Sequence, residues 1–350
     1  MRSSSDTSKP RGPAFGVGRW GVIGATLRWG FALLWGSALL WGCARGAGPG
    51  AGEQEVLELP GVDTSALTGR ERRDWSAYVS ELLAPCADQP VSVAECVRQA
   101  RLCAACVPAA SFVARQVALG KARRQIETAY RLRFAPDQVK SIDLGPAPWK
   151  GAASGRVVIV EWADFECPFC QRTAPELDGL IHAYPGMIKV VFKHYPIVSH
   201  PNAMRAARAA VAAQRQGKFW RLHDLMFLNA TRLDEPGLER LATEAGVDTA
   251  RLKAELGDST VTDRIDAERK QADSLGLTGT PMIFINGRYF DLEYFDLNDD
   301  LGPWVKLEVE LVTGRRVEPA PSVAPRDAGA PRDAQPLPDA VGDAPSGEAG

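Results

Sequence analysis

The sequence predicts an α/β fold, a small mixed sheet with a helical insertion, preceded by a small all-helical domain that carries four cysteines. Three observations lead there. The runs VVIVEW, MIKVVFKHYPI and PMIFING are apolar and rich in β-branched residues. The first lacks the alternation of a half-exposed strand and reads as buried on both faces. Long segments with apolar residues at helical spacing separate the second run from the third, and others precede the first.

Residues 1–43 read as an export signal. Arg2, Lys9, Arg11, Arg19 and Arg28 outweigh Asp6, and an apolar run from Phe31 to Gly42 stops at Cys43. That run is shorter than the ~20 residues of a comfortable membrane span. An uncleaved anchor helix that begins near Val22 and tolerates Arg28 is the alternative, and both place the rest of the chain outside the cytoplasm. The stretch LWGC resembles the lipobox of bacterial lipoproteins, with Leu40 and Gly42 fitting and Trp41 departing. That resemblance implies lipidation at Cys43, a lipid membrane as partner, and a place on the periplasmic side of a bacterial cell envelope. Cysteine counting agrees: of seven cysteines, six remain without Cys43, and all six can pair in an oxidising compartment.

Residues 44–60 are Gly/Ala-rich and read as a flexible tether. A small helical domain is expected over residues 61–140, from the segments DWSAYVSELLAP, AECVRQARLCAACVPAASFVARQVAL and KARRQIETAYRLRF, with Gly120 between the last two. Ile126, Ala129, Tyr130 and Phe134 share one face of its last helix. A domain this small needs staples. Cys86, Cys96, Cys103 and Cys106 are expected to supply two structural disulfides, with three pairings open. Cys103 and Cys106 on adjoining helical turns could instead form a second redox centre, and a four-thiolate zinc site is a further alternative. The part from Leu83 to Val139, above all FVARQVALGKARRQIETAYRLRF, resembles the helical CcmH-type domain of cytochrome-c maturation. That likeness implies the handling of apocytochrome thiols, although the family's close cysteine pair corresponds here to Cys86 alone.

Residues 141–155 read as a linker, and residues 156–314 as the main domain, with a helical insertion at about 201–272. Asn286-Gly287 is a hairpin turn signal, and WVKLEVELVTG reads as the final helix. Residues 315–350 are Pro/Ala/Asp-rich, without an aromatic residue, and read as disordered.

Chemistry concentrates at DFECPFC. Cys167 falls where the strand VVIVEW gives way to a helix, so its sulfur is expected to be exposed, facing unpaired N–H groups and the positive end of the helix dipole. Cys170 lies on the same helical face within disulfide reach, and Pro168 suits a first helical turn. Half a zinc site and a structural disulfide are the competing readings, the latter poor because so short a loop removes little unfolded-chain entropy. Glu161 sits in an apolar strand, where its pKa should rise and equip it to exchange a proton with Cys170. Asp164 and Glu166 are expected to be more exposed. His194, His200 and His223 form no recognisable metal set, and Phe219, Trp220, Leu222, Leu225, Met226 and Phe227 read as core of the insertion, some of them alternatively as the wall of an apolar client groove next to Cys167.

VEWADFECPFC, FKHYPIVSHPNAMRAARAA, QGKFWRLHDLMF and TGTPMIFINGR together resemble the DsbA-like branch of the thioredoxin fold, over roughly Ser141–Gly314. The resemblance implies a thioredoxin fold with an inserted helical subdomain and protein thiol–disulfide oxidoreductase activity. It makes Cys167 the nucleophile, Cys170 the resolving thiol, Glu161 the buried acid, and Thr280 the residue before a cis-proline at Pro281. It implies as partners unfolded or partly folded exported clients and a separate redox partner, and calls for no cofactor or metal. Phe169 stands where strong oxidants of the family often carry histidine, which implies a less oxidising pair. A disulfide reductase or isomerase, including one for cytochrome-c maturation, and a non-catalytic surface binding protein remain the alternatives. With a net charge of -2 and no basic block, a general nucleic-acid surface is excluded.

Overall fold

The computed structural model describes residues 56–88 and 90–321. The expected export signal with Cys43, most of the tether and the tail from residue 322 lie outside the described residues. Among the described residues no helix is long and apolar enough to cross a membrane.

Four helices come first: α1 (Gly69–Glu81), α2 (Val93–Arg98), α3 (Cys106–Ala118) and α4 (Arg123–Phe134). α1 opens on Thr68, whose hydroxyl accepts from the Glu71 N–H while the Glu71 carboxylate accepts from the Thr68 N–H. Two otherwise orphaned donors are thereby satisfied. Trp75, fully buried, pins α1 to α3 by donating from Nε1 to the Ala110 carbonyl at 3.1 Å. Leu57 and Leu59, placed by sequence in the tether, pack into this core, and the Leu57 N–H donates to the Ser76 hydroxyl.

Periodicity reads Ala94–Leu119 as one helical stretch, but the chain breaks between α2 and α3, at residues 99–105. Ala100 there takes a φ of 44°, a left-handed conformation that ends regular helix. Disulfides Cys86–Cys103 and Cys96–Cys106 tie this break to the preceding loop and to α2. One of the three open pairings is thus realised, and Cys103 and Cys106 do not bond each other.

The sheet has the order β1-β3-β2-β4-β5, from β1 (Trp149–Gly151), β2 (Val157–Ala163), β3 (Ile188–His194), β4 (Met282–Ile285) and β5 (Arg288–Phe290). Central β2 runs parallel to β3 and antiparallel to β4. Its crossover to β3 is α5 (Pro168–Ala183). Val157 and Ile159 pack with Leu177 and Leu180 of α5 and with Trp304 and Val305 of α11 (Leu301–Thr313). Val160 and Trp162 point the other way, toward Ala272. Alternation along β2 therefore places Glu161 on the α5 face.

β1 lies within the stretch read as a linker. It has only three residues, Trp149, Lys150 and Gly151, none β-branched, and it forms by pairing with the edge of β3. The Asn286-Gly287 turn joins β4 to β5 with φ of 49° and 78°, as its sequence predicts. A Cβ at Gly287 would lie 2.4 Å from the Lys140 carbonyl oxygen, so the close approach of that segment also requires glycine.

Between β3 and β4 come α6 (Ala203–Gln214), α7 (Phe219–Leu228), α8 (Glu235–Glu244), α9 (Thr249–Leu256) and α10 (Ser259–Ser274). Phe219, Leu222, Leu225, Met226 and Phe227 are buried against Phe165, Phe192 and Cys170. They are core and not a groove wall.

Arg133 of α4, which periodicity does not single out, is 4% exposed and donates to Glu308 Oε1 of α11 at 2.7 Å. The other Glu308 oxygen accepts from Asn286 Nδ2 at 3.0 Å, and Asn286 Oδ1 accepts from the Val158 N–H at 2.9 Å. One polar chain, buried at its Arg133–Glu308 step and half-buried at Asn286, thus links the helical domain to the middle of the sheet.

Candidate active site

β2 ends at Ala163, and three residues later the chain enters α5 with Cys167 as N-cap and Pro168 at its first position. Pro168 has no N–H to leave unpaired there. Cys167 and Cys170 are free thiols.

Asp164 overturns its expected exposure, being 2% exposed. Its Oδ1 accepts from the Glu166 N–H at 2.8 Å and its Oδ2 from the Ile197 N–H at 2.7 Å, with His200 Nδ1 also 2.8 Å away. Glu166 accepts from the backbone N–H and the side-chain Nδ2 of Asn202. The two acids fasten the approach to Cys167 onto the loop before α6, replacing water with fixed donors. Sequence reading missed this clasp, although an acid, one residue, and a second acid just ahead of the pair was its visible signal.

The cysteine pair also departs from its expected exposure. Cys170 is fully buried and Cys167 is 4% exposed, while Pro168 and Phe169 beside them are open to solvent. The cover over Cys167 comes from the segment before β4. There the Thr280–Pro281 peptide is cis, and the Thr280 carbonyl accepts from the Cys167 thiol at 3.3 Å. Thr280 and Pro281, expected from the sequence to neighbour the pair, are thus brought to it, Thr280 by direct contact.

The two sulfurs have opposite acidities. The hydrogen bond from the Cys170 thiol pulls Cys167 down to about 5, helped by the Thr280 side chain and the N–H groups of Cys170 and Phe169, against the cost of burial. Cys170 moves the other way: burial first, then the bond it gives to Cys167 and the charge of Glu161 push its thiol well above the ordinary value. At neutral pH the remaining proton therefore resides on Cys170, and Cys167 donates to the Thr280 carbonyl only in its acid form, below about pH 5.

Glu161, 2% exposed and paired across the ladder with Phe192 and Ile283, occupies a central strand and not an edge. Burial raises its carboxyl to about 8, opposed by the charge of Lys150 and reinforced by those of Cys167 and Asp178. Its Oε1 has no hydrogen-bond partner among the described residues. Lys150 itself comes from the unforeseen β1, pairs with Asp178 of α5, and lies 4.6 Å from the Trp220 ring centre.

Because the folded state raises this carboxyl above its unfolded value of 4.5, the stability it contributes is complete below about pH 4.5 and lost as pH rises through about 8. Glu161→Gln is expected to remove that loss, stabilising the chain by roughly 3 kcal/mol at pH 7. Thermal unfolding of both chains in one redox state from pH 4 to 9 checks it, and parallel curves would refute a buried neutral carboxyl.

Next to the pair, Phe169, Pro175, Leu292 and Leu297 line an open cavity of about 550 Å³. Phe169 is 51% exposed and carries the Arg172 guanidinium 4.7 Å above its ring. The apolar part of this cavity, which Gln171, Arg172, Glu176, Asp296 and Asn298 also line, comes from α5 and the loop before α11, not from α7.

Residues 158–300 match the family model of the DSBA-like thioredoxin domain. Over 140 residues the chain is 37% identical to the Na(+)/H(+) antiporter NhaA 3 of Salinispora tropica, covering 40% of this chain and 21% of that protein. It thus spans about a fifth of that curated relative's length. A thioredoxin-like oxidoreductase from Silicibacter pomeroyi is similar in structure at 32% identity and a TM-score of 0.42, covering 46% of this chain and 91% of that one. A periplasmic thioredoxin-like protein from Salmonella enterica serovar Typhimurium has 22% identity and a TM-score of 0.42, covering 52% and 96%. The mixed sheet with inserted helices and the match over residues 158–300 together identify that part of the chain as a DSBA-like thioredoxin domain.

Proposed function

We propose that the protein is an exported, lipid-anchored oxidoreductase that forms disulfides in client proteins through a mixed disulfide at Cys167. The observation that carries this reading is the acidity of Cys167, drawn to about 5 beside a Cys170 thiol pushed the other way. A stabilised thiolate is a good leaving group, and stabilising the reduced pair makes its disulfide a stronger oxidant. This supports oxidation even though Phe169 replaces the histidine of strong oxidants.

In the oxidised pair, a client thiolate attacks the Cys167 sulfur. The Cys167–Cys170 bond breaks, its electrons pass to Cys170, and Glu161 gives that sulfur a proton. The client's second thiolate then attacks the client sulfur of the mixed disulfide and expels Cys167 as thiolate. Two electrons have moved from client to pair, the client holds a disulfide, and a redox partner must reoxidise Cys167 and Cys170. Thr280 offers main-chain hydrogen bonds to the client, and the surface around Phe169 and Leu292 receives its apolar side chains. Export and anchoring rest on the basic-then-apolar amino end and Cys43.

The pH dependence of Cys167 alkylation tests the reading, with a midpoint near 5 expected. Cys170→Ala, its Cys167 first charged by oxidised glutathione as a mixed disulfide, should in turn link clients to Cys167 in an envelope extract as their thiolates displace glutathione. A midpoint near that of an ordinary thiol, or no linked species, would sink it.

A further inference from the structure

The two disulfides of the small helical domain lie side by side. The sulfurs of Cys96, Cys103 and Cys106 are within 4.8 Å of one another although they belong to two bridges. Cys96, Cys103 and Cys106 are buried, at 1%, 6% and 2% exposure, whereas Cys86 is half-buried. Cys86 lines a cavity of about 660 Å³ whose walls include Leu82, Leu83, Pro85, Tyr130 and Phe134. Leu83 on its edge is 69% exposed. Backbone bonds from Ala84 to Val91 and from Val93 to Leu82 close the base of the loop that holds Cys86. Two bridges acting only as staples need neither a sulfur at an open apolar cavity nor a third sulfur beside the inner bond.

We propose that these four cysteines form a second two-electron thiol–disulfide centre, entered at Cys86 by a cysteine on an apolar protein segment. The incoming thiolate attacks the Cys86 sulfur, the Cys86–Cys103 bond breaks, and its electrons leave on Cys103. The freed Cys103 thiolate reaches the neighbouring Cys96–Cys106 bond, attacks one of its sulfurs and releases the other as thiolate. A Cys103–Cys106 bond or a Cys96–Cys103 bond results. The client's second thiolate then attacks its own sulfur in the mixed disulfide and expels Cys86 thiolate. The client has gained a disulfide, and the domain keeps one bridge and two thiols in place of two bridges. Its own disulfide is the oxidant, and rearrangement buries the surviving bond while Cys86 becomes free.

The test uses the full chain carrying Cys167→Ser and Cys170→Ser, so that only the small domain exchanges and the outcome is independent of the reading above. The oxidised chain is treated with one equivalent of dithiothreitol, quenched with N-ethylmaleimide and mapped by peptide mass spectrometry. Label at Cys86 several-fold above label at Cys103, together with a peptide linked through Cys103 to Cys96 or Cys106, is expected. Equal label at Cys86 and Cys103 with Cys96–Cys106 intact would overturn the relay, as would release of all four thiols in one step. A reduced two-cysteine peptide with apolar flanks supplies the second readout: a mixed disulfide at Cys86 is expected, and its absence would overturn entry at that sulfur. All small-domain cysteines stay in place, so misfolding of a cysteine variant confuses neither measurement.

Discussion

Oxidation of a reduced dithiol client through an adduct at position 167 is expected to fall at least about a hundred-fold in Cys167→Ser, with the fold retained. At pH 7 an ordinary thiol of pKa 9.0 is about 1% ionised, whereas one drawn to about 5 is almost wholly so, a difference of about a hundred-fold in reactive or departing thiolate. Serine removes not only this advantage but the sulfur itself, so no mixed disulfide can form at the position. The change is nearly isosteric at a side chain held by the Thr280 carbonyl, which a hydroxyl can still reach. Unfolding temperature should therefore move little. Single-turnover oxidation of a two-cysteine peptide, with the adduct mapped by mass spectrometry, separates this site from the small domain. Unchanged rates with adducts at position 167 replaced by adducts elsewhere would remove Cys167 from the mechanism.

The second large effect concerns stability. Arg133→Ala is expected to destabilise the chain by about 3–5 kcal/mol, because it strands the Glu308 carboxylate in a buried site. The guanidinium is drawn down to about 10 by burial yet stays charged at pH 7. It also lies 4.3 Å above the Trp304 ring and donates to the Trp304 carbonyl, contacts that alanine deletes together with the charge. A fall of about 10 °C in unfolding temperature corresponds to that loss for a chain of this size. Arg133→Met combined with Glu308→Gln should recover most of it, since glutamine removes the stranded charge and still accepts from Asn286. A single variant as stable as the native chain, or a double variant no better than the single, would show that the pair is not what holds α4 to α11.

How much of this was legible beforehand follows from the range of the interactions concerned. β2, the Cys167–Pro168 helix start and the Asn286-Gly287 turn are written locally, in a β-branched run, a proline position and a dipeptide with two positive φ values. β1 was not legible, because Trp149–Gly151 becomes a strand only by lying beside β3. The burial of Asp164 depends on Ile197 and His200, contributed by the loop beyond β3. The break at residues 99–105 and the choice among three cysteine pairings both depend on where the Cys86 loop folds back. Periodicity reports which face of an element is apolar, and it is silent about what another part of the chain brings to that face.

The register of β2 has a consequence for synthesis. Val160 lies opposite Phe284, and Thr280 covers the Cys167 sulfur, so both contacts wait for chain made after the five inserted helices. A growing polypeptide, emerging from its amino end, thus displays its cysteine pair well before the cover that tunes it is available. Under the proposed function, redox competence therefore waits for residue 280, and nascent chains cut short ahead of it carry the sulfurs without their cover.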